Sequence, residues 1–378
     1  MWPPDDQSVA ALYPPTPSFF FSVSGTRTAI LAPQIVEPKS PKVTLIDFRP
    51  VVVEMLRSEL VAASAFAAAA AALAYGATRR RKRTCLITGG CGNLGGKLAR
   101  HLLSKGGWRV VLLEHPDWFA AEKVPAGAEV VVGDAADGTA AWTRAFAAVD
   151  AVVHFSAVNP FPNASWDESS ESMSHSNNVF LAAVRHGVRR VVFASSNHVM
   201  GQYKELREYG LVKPSSPPMC GTPLRDSADL AKSGDAIPYA AAKLSGERLA
   251  RALAQQPGCA TSFFILRIGW CQYGENLPAT LSAAGSPACR QNQAEEGAAA
   301  AQSKADLEED VDGDWFKNMW LSNRDFAAYF EAALTAAPPA AGPPLRLLNA
   351  MSRNRGSRWS LAETEAALGV RAQDDSRA

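Results

Sequence analysis

Cysteine is scarce in this chain, with six residues in 378. Cys85, Cys91, Cys220, Cys259, Cys271 and Cys289 form no CxxC pair and no Cys/His metal-binding spacing. A disulfide scaffold and a zinc ribbon are thereby excluded. No metal is expected, and the thiols read as small apolar residues of a reduced, intracellular protein. An excess of one charge is also missing. The 38 lysines and arginines meet 37 acids, a net charge of +1. No nucleic acid or polyanionic surface is expected as a partner of the whole chain.

What is present is unevenly spread. Residues 1–83 carry Pro3, Pro4, Pro14, Pro15, Pro17, Pro33, Pro38 and Pro41 and are expected to be an extension, largely disordered, outside the main domain. Within it, residues 60–77 hold no charge over nearly the length of a minimal membrane span. Arg79, Arg80, Arg81, Lys82 and Arg83 follow at once. One reading is a membrane anchor that leaves the rest of the chain on a cytoplasmic or organelle-stroma side. The other is an Ala-rich helix beside a solvated basic run. Asp5 and Asp6 argue against a standard transit peptide.

Residues 84–103 read TCLITGGCGNLGGKLARHLL. A short apolar run breaks into glycines, and a helix-forming segment follows. Strand, glycine turn and helix are the context of a dinucleotide fingerprint. Gly89 permits the tight turn, Gly92 lets backbone approach a pyrophosphate, and Gly95 lets helix pack on strand. The helix N-terminus offers free N–H groups to the phosphates. Apolar runs recur at 109–113, 129–132, 151–155, 190–194 and 262–268, with helix-like segments at 140–148, 178–186 and 240–254. Unalternating apolar runs separated by helices predict a Rossmann-like, doubly wound parallel α/β sheet over residues 84–375, with a small C-terminal substrate-binding portion. Residues 278–314, Ala-rich and acidic, read as a flexible surface insertion.

Three further features carry chemistry. Glu114 ends the second apolar run, where an acid accepts from both ribose hydroxyls and repels a 2′-phosphate, which favours NAD over NADP. Asp134 ends the third run and is placed to reach the adenine, although a turn-forming Gly-Asp pair reads equally well. Tyr239 and Lys243 stand four residues apart, on one face of a helix. A lysine cation favours the phenolate, so Tyr239 could take the proton of a substrate hydroxyl. Ser196 closes the run 190–194 at a strand's C-terminal edge, where it would polarise the reacting oxygen.

These motifs resemble the extended short-chain dehydrogenase/reductase superfamily, the NAD-dependent epimerase/dehydratase family. The resemblance rests on TGGCGNLG at 88–95, the Tyr239/Lys243 pair and Leu266-Arg267-Ile268-Gly269. Within it, FASSNHVMG at 193–201 looks most like the uronate dehydrogenase branch, as do WLSNRDF at 320–326 and Trp359-Ser360-Leu361. The resemblance implies catalytic Ser196, Tyr239 and Lys243. It implies a cofactor site from Gly89, Gly92, Asn93, Leu94, Gly95, Glu114, Asp134 and Lys243. It places Asn197 and His198 against a sugar and Asn159 where the branch has a substrate-binding serine. There are departures as well. Trp270 stands where the branch has a serine, and would offer an apolar face to a sugar ring. The carboxylate-binding arginine is replaced by Trp315 or displaced, with Arg290 and Arg324 as candidate substitutes. The expected function is hydride transfer between NAD and a sugar acid or related small carbohydrate. A sugar-nucleotide epimerase and a non-catalytic NAD-binding protein are the alternatives. A homo-oligomer is a candidate assembly.

Overall fold

Alternate residues along the strands bury against opposite layers, which is why the apolar runs do not alternate with polar residues. In the computed structural model, Cys85 and Ile87 pack into one cluster with Leu98, Leu102, Phe326 and Phe330. Leu86, between them, packs into the other with Phe180, Phe193 and Phe263. The structure describes residues 82–158, 164–204, 206, 208–221, 236–281 and 313–378. The candidate anchor at 60–77, Asn159, Arg290 and residues 282–312 of the expected insertion lie outside the described residues. The chain divides after Ala77, and all that follows belongs to the second unit, Thr78–Ala378.

The strands are β1 (Arg83–Thr88), β2 (Trp108–Glu114), β3 (Glu129–Val132), β4 (Ala151–His154), β5 (Arg190–Ser196), β6 (Ser262–Ile268) and β7 (Leu345–Ala350). They form one seven-stranded sheet in the order β3-β2-β1-β4-β5-β6-β7. Every pairing is parallel. The order reverses between β1 and β4, and that crevice is where an open α/β sheet places ligands.

Helices α1 (Asn93–Lys105) and α5 (Asn323–Thr335) cover one face, and α2 (Trp166–Arg185) and α3 (Ile237–Ala254) cover the other. Short helices α4 (Gly313–Asn318) and α6 (Ala362–Leu368) complete the set. Among the described residues no helix is long and apolar enough to cross a membrane.

Three details differ from the sequence pattern. Helix α2 starts twelve residues before the expected 178, at Trp166, because Ser165 and Glu168 close a capping box. Its buried side carries Ser169, Ser172, His175 and Ser176, a polar stripe that hides the helical period. Residues Ala141–Ala148 wind as a 3-10 helix instead of an α-helix. The edge strand β7 follows a run of prolines and alanines and had no apolar-run signal of its own.

Candidate active site

The glycine turn is held from below and behind. Gly89 adopts φ +63°, a left-handed conformation that a side chain would strain, and its N–H donates to Leu113 O at 2.9 Å. Gly95 lies in the first turn of α1, so close to the turn that a Cβ there would sit on the Gly89 carbonyl oxygen. Helix and turn can approach like this only with glycine at 95. A Cβ at Gly92 would crowd the same oxygen, at 3.2 Å. Leu94 packs against the core, and the Asn93 amide donates to Cys271 O at 2.9 Å. Lys97 donates to the Gln272 carbonyl, a second tie between α1 and the loop after β6.

Glu114 ends β2 with its carboxylate against this turn. Its Oε2 accepts from Cys91 N at 2.7 Å and its Oε1 from His115 N at 3.1 Å. Burial and the nearby Glu114 carboxylate push the Cys91 thiol up, so it stays a neutral thiol beside the turn. Asp134, just past β3, accepts from Ala136 N at 2.7 Å. A glycine-rich cradle at a helix N-terminus, with a buried acid at the end of β2, fits a dinucleotide.

Beneath the turn runs a buried polar line. Thr88 Oγ1 accepts from Phe155 N at 3.1 Å and Ser156 N at 3.2 Å. Both its lone pairs are then taken, so its proton goes to His154 Nδ1, 2.8 Å away. That fixes the tautomer in which His154 Nε2–H donates to Ser176 Oγ at 3.1 Å. Complete burial holds the His154 pKa well below its usual value, so the ring is neutral. It stacks on Phe193 at 5.5 Å. The line joins β1, β4 and α2 at the switch point.

The chemistry-bearing side chains gather beyond β5. Ser196 Oγ accepts from His198 N at 3.2 Å. The His198 ring stands edge-on to Tyr239, with centroids 5.7 Å apart, and is tilted against Trp270 at 6.3 Å. Lys243 Nζ lies 5.6 Å from the centre of the Tyr239 ring and donates to Ala194 O at 2.9 Å. Ser196, His198, Tyr239, Lys243 and Trp270 therefore form one connected group at the strand edge. Desolvation lowers the Lys243 pKa to about 7. Asn197 belongs to the same turn, but its amide donates inward to Ile268 O at 3.1 Å.

One buried ion pair, between a residue of a helix and a residue of a strand, orders this edge. Arg267 Nε and Nη2 donate to Glu247 Oε1 and Oε2 at 2.8 and 2.7 Å, both side chains being almost wholly buried. Ser195 Oγ also donates to Glu247 Oε1, at 2.6 Å. Through Glu247 the strand ends of β5 and β6 are clamped to the helix that carries Tyr239 and Lys243. The available signal was spacing, since Tyr239, Lys243 and Glu247 repeat every four residues along one helix face.

On the C-terminal side an apolar cluster meets one arginine, Arg358, whose guanidinium lies 6.0 Å from the Trp315 ring. Trp315 is buried among Val199, Met200, Tyr203, Met319, Met351 and Trp359. Arg324 forms a bidentate pair with Asp374 on an exposed face. Trp270 joins this side through its main chain, donating to Met319 O at 2.9 Å and accepting from Leu321 N at 2.7 Å.

A family model described as the NAD dependent epimerase/dehydratase family matches residues 85–276. An L-arabinose 1-dehydrogenase (NAD(P)(+)) of Haloferax volcanii is 29% identical over 294 residues, 77% of this chain and 96% of that protein. A uronate dehydrogenase of Pseudomonas putida is 36% identical over 125 residues, 32% of this chain and 43% of that protein. Among solved structures, a UDP-galactose 4-epimerase aligns with a TM-score of 0.52 at 17% identity, covering 78% of this chain and 94% of that one. A short-chain dehydrogenase/reductase superfamily protein of Agrobacterium tumefaciens aligns with a TM-score of 0.53 at 22% identity, over the same shares. At these identities the likeness is one of fold.

Proposed function

The chain belongs to the NAD dependent epimerase/dehydratase family, with NAD as its cofactor, and from that premise we propose that it oxidises a hydroxyl of a free carbohydrate. The reading is carried by one observation, the grouping of Ser196, His198, Tyr239 and Lys243 at the edge of β5. Tyr239 takes the hydroxyl proton. Ser196 donates a hydrogen bond to the same oxygen, and its acceptance of His198 N leaves the hydroxyl proton free to do so. A charged Lys243 favours the phenolate electrostatically. NAD, when bound, supplies the hydride acceptor. The cradle of Gly89, Gly92, Asn93, Leu94 and Gly95 would hold the pyrophosphate, Glu114 the ribose hydroxyls and Asp134 the adenine, with Lys243 reaching the nicotinamide ribose.

The substrate is read as a monosaccharide. His198 stands beside Tyr239 and Trp270 beside His198, one polar and one apolar wall for a sugar. Asn197 spends one amide N–H inward on Ile268 O, which leaves its second N–H and its side-chain oxygen for a substrate. A neutral aldose is favoured over a uronate. Among the described residues, Trp315 packs in an apolar cluster with the Arg358 guanidinium 6.0 Å from its ring, and Arg324 is matched by Asp374. The Haloferax relative, aligned over almost its whole length, is named for an aldose.

The test is net NADH formation, followed by absorbance, with L-arabinose, other aldoses, uronic acids and UDP-sugars. Turnover should be highest with an aldose. Tightly held NAD with interconversion of UDP-sugars and no net NADH would replace this reading with epimerisation. Faster uronate oxidation would restore the sugar-acid reading.

A further inference from the structure

We propose that Asp134, Glu171 and His175 bind one divalent transition-metal ion of the zinc class, beside the C-terminal end of β3. One donor atom from each residue lies within 4.8 Å of the others. His175 Nε2 stands 3.6 Å from Glu171 Oε1 and 3.8 Å from Asp134 Oδ1. Those separations are too long for hydrogen bonds. They are only a few tenths of an ångström beyond the ~3.3 Å that separates ligands around a tetrahedral zinc ion.

The imidazole is the independent observation. The His175 side chain is 11% exposed, and neither of its ring nitrogens has a hydrogen-bond partner. Buried polar groups are nearly always satisfied, so a buried ring aimed unpartnered between two carboxylates calls for a ligand. A neutral imidazole has its lone pair ready for a metal.

The rest of the geometry agrees. Glu171 and His175 are four residues apart on α2 and share a face. Asp134 comes from a different element and is oriented by Ala136 N–H at 2.7 Å. The Glu171 and Asp134 side chains are 49% and 39% exposed, which gives an ion an entry path and leaves room for water as a further ligand. One nitrogen and two oxygens suit zinc, cobalt, nickel or manganese better than magnesium or calcium. The sequence conceals the site because its third ligand, Asp134, lies beyond β3 while the other two lie on α2.

The experiment titrates the untagged full-length protein with Zn²⁺ by calorimetry and with Co²⁺ by visible absorption. NAD is omitted, so the assay stands apart from the cofactor role proposed for Asp134. One equivalent of metal should bind. Losing even an outer partner of a metal ligand weakens binding by about tenfold, so His175→Gln and Glu171→Gln should each do at least that. Glu171→Gln changes a half-exposed side chain, and circular dichroism checks that both variants fold. No saturable binding by the parent protein overturns the proposal. So does undiminished binding by the folded variants.

Discussion

Between residues 83 and 134 one half of the candidate site is built from adjacent chain: strand, glycine turn, helix, and acids at the ends of the next two strands. The other half draws Ser196, Tyr239, Trp270, Trp315 and Arg267 from places spread over more than a hundred residues. The first half works through backbone, with glycine required at 89 by its φ and at 95 by the close approach of helix and turn. The second works through side chains that long-range contacts must orient. A backbone device can be read from spacing, whereas a side-chain assembly needs its partners to be known.

The strongest way to break the substrate half without touching it is Glu247→Gln. Removing one member of a buried ion pair costs about 3–5 kcal/mol, because the remaining charge is left uncompensated. Urea unfolding should show that loss, and folded variant should lose turnover more than NAD affinity. An unchanged midpoint would show that Arg267 finds other acceptors.

Tyr239→Phe keeps the ring beside His198 and removes only the ionisable oxygen. Turnover should fall by about two orders of magnitude or more, with NAD binding by fluorescence titration unchanged. Near-normal turnover would move the base elsewhere.

Lys243 joins the two halves, and its burial gives a signed pH dependence. Its folded pKa is about 7 against an ordinary 10.5. Between these values the unfolded chain holds a proton that the folded one does not, so stability rises with pH. The slope from this group is about 1.4 kcal/mol per pH unit, flattening outside that window. Thermal unfolding of Lys243→Met in the same range should lack that rise. Parallel curves for the two proteins would refute the assignment.

The smallest expected change tests the nucleotide half. Glu114→Ser removes an acceptor and a repelling charge, and should narrow the preference for NAD over NADP by about tenfold, on the order of 1.4 kcal/mol. Dissociation constants for both nucleotides measure it. Tighter NADP binding by the parent protein would contradict the role of Glu114.

The same division explains what could be read in advance. The parallel sheet, its first six strands and the glycine turn were legible because apolar runs and glycine positions are local. So was the Tyr239/Lys243 pair, which needs only helical spacing. Strand β7 was not, since Leu345–Ala350 becomes a strand by pairing with β6 and has a half-exposed beginning. The first three turns of α2 were hidden by serines whose burial depends on neighbours. Arg267 was visible as part of a motif, and helical spacing puts Glu247 on the Tyr239/Lys243 face, but nothing local says that the two pair across elements.

The sheet's direction also bears on the order of events during folding. With every pairing parallel, no strand is joined to its neighbour by a hairpin, so each contact must first close a long loop. Thr88 reaches His154 across 66 residues before that link can form. Loop-closure entropy is lost before such contacts repay it, which slows folding. The glycine turn can take shape early, from chain already at hand. The catalytic edge waits for β4, β5 and β6 to be laid down in turn, so competence to turn over substrate should be the last property a refolding molecule acquires.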